Sequence, residues 1–317
     1  MNTLKYNATV IQASLSDDRE ASWKKLQALL KQAAESGSEL VVLPELHNGH
    51  YFCQHEDDRE FARAESIPGP TSDFLSSLAK KFHLVIIGSV FERRAAGLYH
   101  NTAIVLDSDG SLAGFYRKMH IPDDPGYYEK YYFTPGDSAF RPIATRLGRI
   151  GVLICWDQWF PEAARLMALA GAELLVYPTA IGWDPADSEA EQQRQLDSWK
   201  TVQRAHSISN GIPLIAANRH GHEADPAGST RGIDFWGNSF ICGPQGEILA
   251  QAGSNEDSVM IAEIDLTRIE TVRQAWPFLR DRRIDAYAGI SSRFLDSDTA
   301  DRKTRGNIKL TSGDNND

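Results

Sequence analysis

Apolar and polar positions along this chain repeat in two alternating periods. "ATVIQAS", residues 8–14, is a short run rich in β-branched side chains and reads as a buried strand. In the following "DREASWKKLQALLKQAAESG", Trp23, Leu26, Leu29, Leu30 and Ala33 fall on one face of a helix. "ELVVLPE" is apolar almost throughout, as expected of a strand covered on both faces. A shorter amphipathic helix, "TSDFLSSLAKKF", leads into the strand "LVIIGSVFER", and "HNTAIVLDSDGSLAGFYRK" reads as a hairpin across Ser-Asp-Gly. The order then restarts with "RIGVLIC", a helix opening at Pro161, "AELLVYPT", a long polar helix over residues 187–209, "IPLIAAN" and a second hairpin, "NSFICGPQGEILAQ". "GSELVVLPE" and "GAELLVYPT", each after a helix, hint at two related layers. Helices alternating with buried strands predict an α/β fold: one domain over residues 1–290, a four-layer sandwich of two stacked mixed sheets with helices outside. A polar tail over 291–317 is expected to be largely disordered.

Composition narrows the function classes. An apolar fraction of 42% and a charged fraction of 24% are those of a globular protein. No run approaches the roughly 20 apolar residues of a membrane span, and "MNTLKYNATVIQAS" lacks the basic start and long apolar stretch of a signal peptide. A cytoplasmic protein without membrane association is expected. Cys53, Cys155 and Cys242 are too few and too scattered for a disulfide framework, so reduced thiols are expected. Lys and Arg number 33 against 43 Asp and Glu, a formal charge of −10, with no basic run. That lacks the footprint of a nucleic-acid binder and suits a small cationic substrate.

The strand ends carry the chemistry. "GVLICWDQWFPEAARL", residues 151–166, passes from strand to helix with Cys155 at the junction, where α/β sheets place their ligand crevices. Trp156, Asp157 and Trp159 follow, a bulky and polar way to finish a core strand, and nearby helix amides would favour a thiolate. Glu45 closes "VVLPEL", and Lys118 closes the second hairpin strand in "AGFYRKMHIP". Taken singly, a buried cysteine, a solvated strand-end glutamate and a snorkelling lysine are ordinary. A base, a cation and a thiol on three separate strand ends make a chemical set. The carboxylate can take the thiol proton, the thiolate can attack a carbonyl carbon, and the ammonium can stabilise the tetrahedral oxyanion. His47, His50, Cys53 and His55 are metal-ligand types, but their spacing is too compact for a zinc knuckle and no second pair completes it, so no metal is expected. The sequence has no G-x-G-x-x-G, Walker A or G-x-S-x-G, which argues against dinucleotide, nucleotide and serine-hydrolase chemistry; no cofactor is expected.

At these residues the chain resembles the nitrilase superfamily, the carbon-nitrogen hydrolases. "VVLPE" with Glu45, "YRKMHIP" with Lys118 and "GVLICWDQWFPE" with Cys155 look like its three signature blocks in their order, and the likeness runs on to "RDRRIDAYAG" at 280–289. The resemblance implies an α-β-β-α sandwich, a Glu-Lys-Cys triad, and a second, supporting glutamate at Glu129 in "PGYYEKYYFTPGD". It implies an amidohydrolase working through a cysteine thioester, with Lys118 and the Trp156 backbone amide holding the oxyanion. The blocks "MHIPDDPGYYEKYYFTPGD", "AIGWDP" and "ANRHG" are similar to the branch that cleaves N-carbamoylputrescine to putrescine, ammonia and carbon dioxide. For that substrate, Asp184 is expected to meet the ammonium, with Tyr127, Trp156 and Trp183 as walls along the alkyl chain. Arg219 would instead serve the carboxylate of a carbamoylated amino acid such as N-carbamoyl-β-alanine. The resemblance also implies a homo-oligomer, with "RQAWPFLRDRR" as a segment that could cross to a neighbour. A catalytically silent scaffold would be favoured by a missing triad residue, and all three are present.

Overall fold

Each half of the chain builds a parallel three-stranded centre and flanks it with antiparallel strands. The computed structural model describes residues 4–295; the tail expected from residue 291 therefore falls, after Leu295, outside the described residues. The first half contributes β1 (Lys5–Gln12), β2 (Leu40–Val42), β3 (Val85–Ala95), β4 (Leu98–Leu106) and β5 (Leu112–Arg117). The second contributes β6 (Ile143–Thr145), β7 (Gly148–Val152), β8 (Leu174–Pro178), β9 (Gly182–Trp183), β10 (Leu214–Ala217), β11 (His220–Glu223), β12 (Ile233–Trp236), β13 (Phe240–Cys242), β14 (Ile248–Gln251) and β15 (Ser258–Asp265). One sheet has the order β15-β1-β2-β3-β4-β5 and the other β14-β13-β10-β8-β7-β6, six strands each. The β1, β2 and β3 strands pair in parallel, as do β7, β8 and β10. The remaining pairs in both sheets are antiparallel.

Alternation of side chains explains why the central strands read as continuous apolar runs. In β2, Leu40 and Val42 face the opposite sheet while Val41 faces outward; in β3 the split is Val85 and Ile87 against Ile86. The outward set packs under α1 (Arg19–Glu35) and α2 (Pro70–Phe82) through Leu26, Leu30, Leu75 and Leu78. On the far side α4 (Pro161–Leu169) and α5 (Glu189–Asn210) cover the second sheet with Ala163, Met167, Leu196 and Trp199, after the one-turn α3 (Glu129–Tyr132). The architecture is an α-β-β-α sandwich.

Helix boundaries follow local chemistry. The Asp18 side chain accepts from Glu20 N at the start of α1, proline opens α2 and α4, and α5 stops at Gly211 with φ +60°. The Ser-Asp-Gly turn joins β4 to β5, with Gly110 at φ +87°. Three features were not anticipated: the edge strand β15 paired along the whole of β1, α6 (Thr267–Ala275), and a small separate sheet of order β11-β12-β9.

The chain divides into two compact units, residues 1–276 and 277–317. The first holds every element named above. The described part of the second contains two short 3-10 turns, Ile284–Ala286 and Ala288–Ser291. Among the described residues, no helix is long and apolar enough to cross a membrane.

Candidate active site

Glu45 sits just past β2, where Leu43 N still donates to Ile87 O at 2.9 Å and Glu45 N donates to Thr179 O at 3.2 Å. That second bond bridges the two sheets at the ends of their parallel strands. The Glu45 carboxylate is fully buried; Oε1 accepts from Asn101 Nδ2 at 2.6 Å and Lys118 Nζ at 2.9 Å, while Oε2 is buried with no partner. Lys118 follows β5, its backbone pinned by N–H donation to Asn101 O at 2.9 Å. Its buried ammonium also donates to Glu129 Oε1 at 2.9 Å and Oε2 at 2.6 Å. Glu129 opens α3 and additionally accepts from the Tyr51 hydroxyl at 2.7 Å. One cation is thus held between two carboxylates in a fully buried site.

The electrostatics follow from burial. Although desolvation disfavours its charge, Glu129 and Glu45 hold the Lys118 ammonium well above the ordinary lysine range. Burial, reinforced by the Glu45 charge and opposed by Lys118, pushes Glu129 up to about 7.

Cys155 opens a 3-10 turn, Cys155–Trp159, with φ +40°, in the left-handed region that residues bearing a β-carbon avoid. Asp157 braces the turn. Its carboxylate accepts from Ile154 N at 2.9 Å, Tyr116 Oη at 2.9 Å and His120 N at 3.0 Å, and lies 2.7 Å from His120 Nδ1. The Cys155 Sγ lies 3.7 Å from Ala180 O and feels the charges of Glu45, Lys118 and Glu129. Burial pushes the thiol well above its ordinary value, with Glu45 adding to the shift. The thiolate expected from helix-terminal amides is therefore not the resting form. A neutral thiol needs a base, and the unpartnered oxygen of Glu45 belongs to the same charge cluster.

The carbon-nitrogen hydrolase family model matches residues 7–274. The chain belongs to the carbon-nitrogen hydrolase family. It is 44% identical over 279 residues to an N-carbamoylputrescine amidase of Solanum lycopersicum, covering 87% of this chain and 92% of that protein. A citrullinase of Francisella tularensis is 39% identical over 287 residues, 90% of this chain and 98% of the relative. A solved carbon-nitrogen hydrolase from Helicobacter pylori G27 superposes with a TM-score of 0.90 at 51% identity, covering 92% of this chain and all of that one. The protein is accordingly a hydrolase of carbon–nitrogen bonds other than peptide bonds.

In this carbon-nitrogen hydrolase the expected wall residues are spread around the cluster. Tyr127 is half-buried, its hydroxyl accepting from Gly182 N at 3.0 Å, and its ring centroid lies 5.5 Å from that of Tyr51. Trp156 is half-buried on the Cys155 turn, its ring centroid 6.4 Å from that of Trp159. Trp183 lies in β9, donating Nε1–H to Gln192 O at 2.9 Å and packing 5.5 Å from Trp236. Asp184 is exposed beside it and caps a turn, accepting from Ala186 N at 2.8 Å. Arg219 is fully buried, and both of its Nη nitrogens are already bonded to protein groups.

His47, Cys53 and His55 point to different places, and His50 lines a cavity with Asn48, Phe52 and Arg63. His47 is buried beside Gly88 under α2, Cys53 joins the aromatic cluster of Tyr51, Phe52 and Phe91, and His55 turns to Asp57 and Asp225. Sequence reading missed Asn101, Tyr51 and the bracing role of Asp157. "HNTAIV" gives no hint that Asn101 reaches a strand end two strands away. The acid three residues after Ile154, in a turn that must present a thiol, was the one available signal.

Proposed function

We propose that this enzyme hydrolyses the ureido group of N-carbamoylputrescine, giving putrescine, carbon dioxide and ammonia with the consumption of one water. The observation that carries the reading is the buried Glu45–Lys118–Glu129 cluster coupled to the neutral thiol of Cys155. Glu45 Oε2 takes the thiol proton as sulfur attacks the carbamoyl carbon. Lys118 and the Trp156 amide stabilise the oxyanion, at about 3 kcal/mol per well-placed donor. Collapse of the tetrahedral adduct expels one nitrogen, protonated by Glu45, and leaves a thioester on Cys155. Glu45 then activates water to cleave the thioester, freeing the thiol and a carbamic acid that breaks down to carbon dioxide and the second nitrogen species.

The cationic substrate is supported by the relatives named N-carbamoylputrescine amidase and by the exposed carboxylate of Asp184 next to Trp183. Arg219, whose guanidinium is already engaged, weighs against a carboxylate partner there. The relative named citrullinase supports a second reading, a ureido amino acid. The two separate in one assay: ammonia release from N-carbamoylputrescine, citrulline and N-carbamoyl-β-alanine, with Cys155→Ser as control. Turnover of the first compound alone, abolished in the variant, is the expected result. Preference for either amino acid overturns the substrate, and full activity in Cys155→Ser overturns the nucleophile. The reading extends to a cytoplasmic homo-oligomer without cofactor or metal, for which undiminished activity after chelation and a sedimentation coefficient above that of a monomer are expected.

A further inference from the structure

At β11 of the small sheet lies a buried ion pair that the reaction does not use, with Arg219 just before the strand and Glu223 at its end. Arg219 and Glu223 are 0% and 3% exposed, with Nη1 2.8 Å from Oε1. A desolvated pair of this kind is a poor source of stability, since an apolar pair of similar volume serves as well. What this pair touches is informative. Arg219 Nη2 donates to Glu45 O at 2.7 Å and Leu46 O at 3.0 Å, and Nη1 donates to Gly49 O at 3.1 Å. Glu223 Oε2 accepts from Tyr51 N at 2.5 Å. The pair therefore grips the segment 45–51 at four backbone groups, 170 to 174 residues away in sequence. That segment contains Leu46 at φ +48°, a conformation a leucine does not hold unaided.

Both ends of the gripped segment lead to the site. Its first residue is Glu45 itself. Its last, Tyr51, donates its hydroxyl to Glu129, on the other side of the Lys118 ammonium. We propose that the Arg219–Glu223 pair is a positioning clamp that sets Glu45 and Glu129 at once about Lys118. This rests on the catalytic roles given above to those two glutamates. The guanidinium fork is what allows three carbonyls and a carboxylate to be met from one side chain; an ammonium at the same place has neither the reach nor the planar geometry. The clamp touches no substrate. It acts through the general base and through Tyr51.

The test uses the full-length enzyme with Arg219→Lys, Glu223→Gln and Tyr51→Phe, beside Glu45→Gln. Arg219→Lys and Glu223→Gln are expected to lower kcat by tenfold or more while KM changes less than threefold. Tyr51→Phe keeps the backbone clamp and removes one hydrogen bond to the ionised Glu129, so the acid limb of its pH–kcat profile moves up by about one unit. Alkylation of Cys155 by iodoacetamide, followed by peptide mass, needs no substrate; its rate should shift in the clamp variants in the same direction as in Glu45→Gln. If the clamp variants keep wild-type kcat, pH profile and alkylation rate, the inference is overturned. If Arg219→Lys fails to fold, Tyr51→Phe and Glu223→Gln decide it. Should wild type leave all ureido compounds untouched, the substrate reading fails while the alkylation series still decides the clamp.

Discussion

Cys155 is buried, which disfavours its thiolate, and its chemistry belongs to the groups around it. The nearest consequence concerns Glu129. Burial and the Glu45 charge raise it from 4.5 to about 7 against the pull of Lys118. Between those two values the native chain keeps a proton that the unfolded chain has released, so this group removes stability as the pH rises through that window. Glu129→Gln should flatten that component of a urea-unfolding series between pH 5 and 8. It should also abolish an acid limb near 7 in kcat/KM while lowering kcat at least tenfold, because an amide grips the ammonium less well than a carboxylate. A variant with the wild-type pH profile would take Glu129 out of the mechanism. Glu45, Lys118 and Cys155 were legible in the sequence because each interrupts an apolar strand with a polar, reactive end. Asn101 and Tyr51 were not: each acts through one long-range side-chain bond, and neither is unusual in its local setting.

At the scale of elements, the Cys155 turn is held by a neighbour in sequence and by a strand of the other sheet. Asp157 gathers donors from Ile154, from Tyr116 in β5, and from His120 two residues beyond Lys118. It thereby couples the position of the thiol to that of the Lys118 ammonium. Asp157→Asn leaves one donor facing an amide NH₂, and with charge-assisted bonds lost it should destabilise the protein by about 2–3 kcal/mol. It should also reduce kcat tenfold or more with little change in KM. Thermal unfolding together with steady-state kinetics checks both; a stability loss without a kcat effect would reduce Asp157 to a structural group. The central strands and outer helices were readable because two-sided burial and helical periodicity mark them strongly. The β9, β11 and β12 strands were not, since they are short, carry glycines and polar residues such as His222 and Asp234, and owe their pairing to tertiary packing.

For the molecule as a whole, two buried imidazoles far apart in sequence weigh against stability on the acid side, beside the paired carboxylates. The two halves repeat one architectural scheme, which the likeness of "GSELVVLPE" to "GAELLVYPT" had suggested, but the residues that lock each helix layer to its sheet differ. Under α2, His47 is buried against Gly88 with neither ring nitrogen partnered; burial, with Arg219 adding to it, lowers its value to about 3. Between α5 and the second sheet, burial lowers His206 to about 4, with its Nδ1 3.1 Å from the Tyr177 hydroxyl. Both are bases depressed below their ordinary 6.5 in the folded state. The unfolded chain takes up protons there that the native chain refuses, so their contribution is intact above about 6.5 and is lost as the pH falls toward 3. At pH 5 each withdraws at most about 2 kcal/mol. Glu129 acts in the opposite sense over part of the same range, so the comparison must be made within variants. Urea unfolding of wild type and His47→Leu at pH 7.5 and pH 5 should show a smaller acid loss in the variant, whatever its stability at pH 7.5. An unchanged acid loss would mean that the imidazole under α2 reaches a partner or water and titrates as in the unfolded chain.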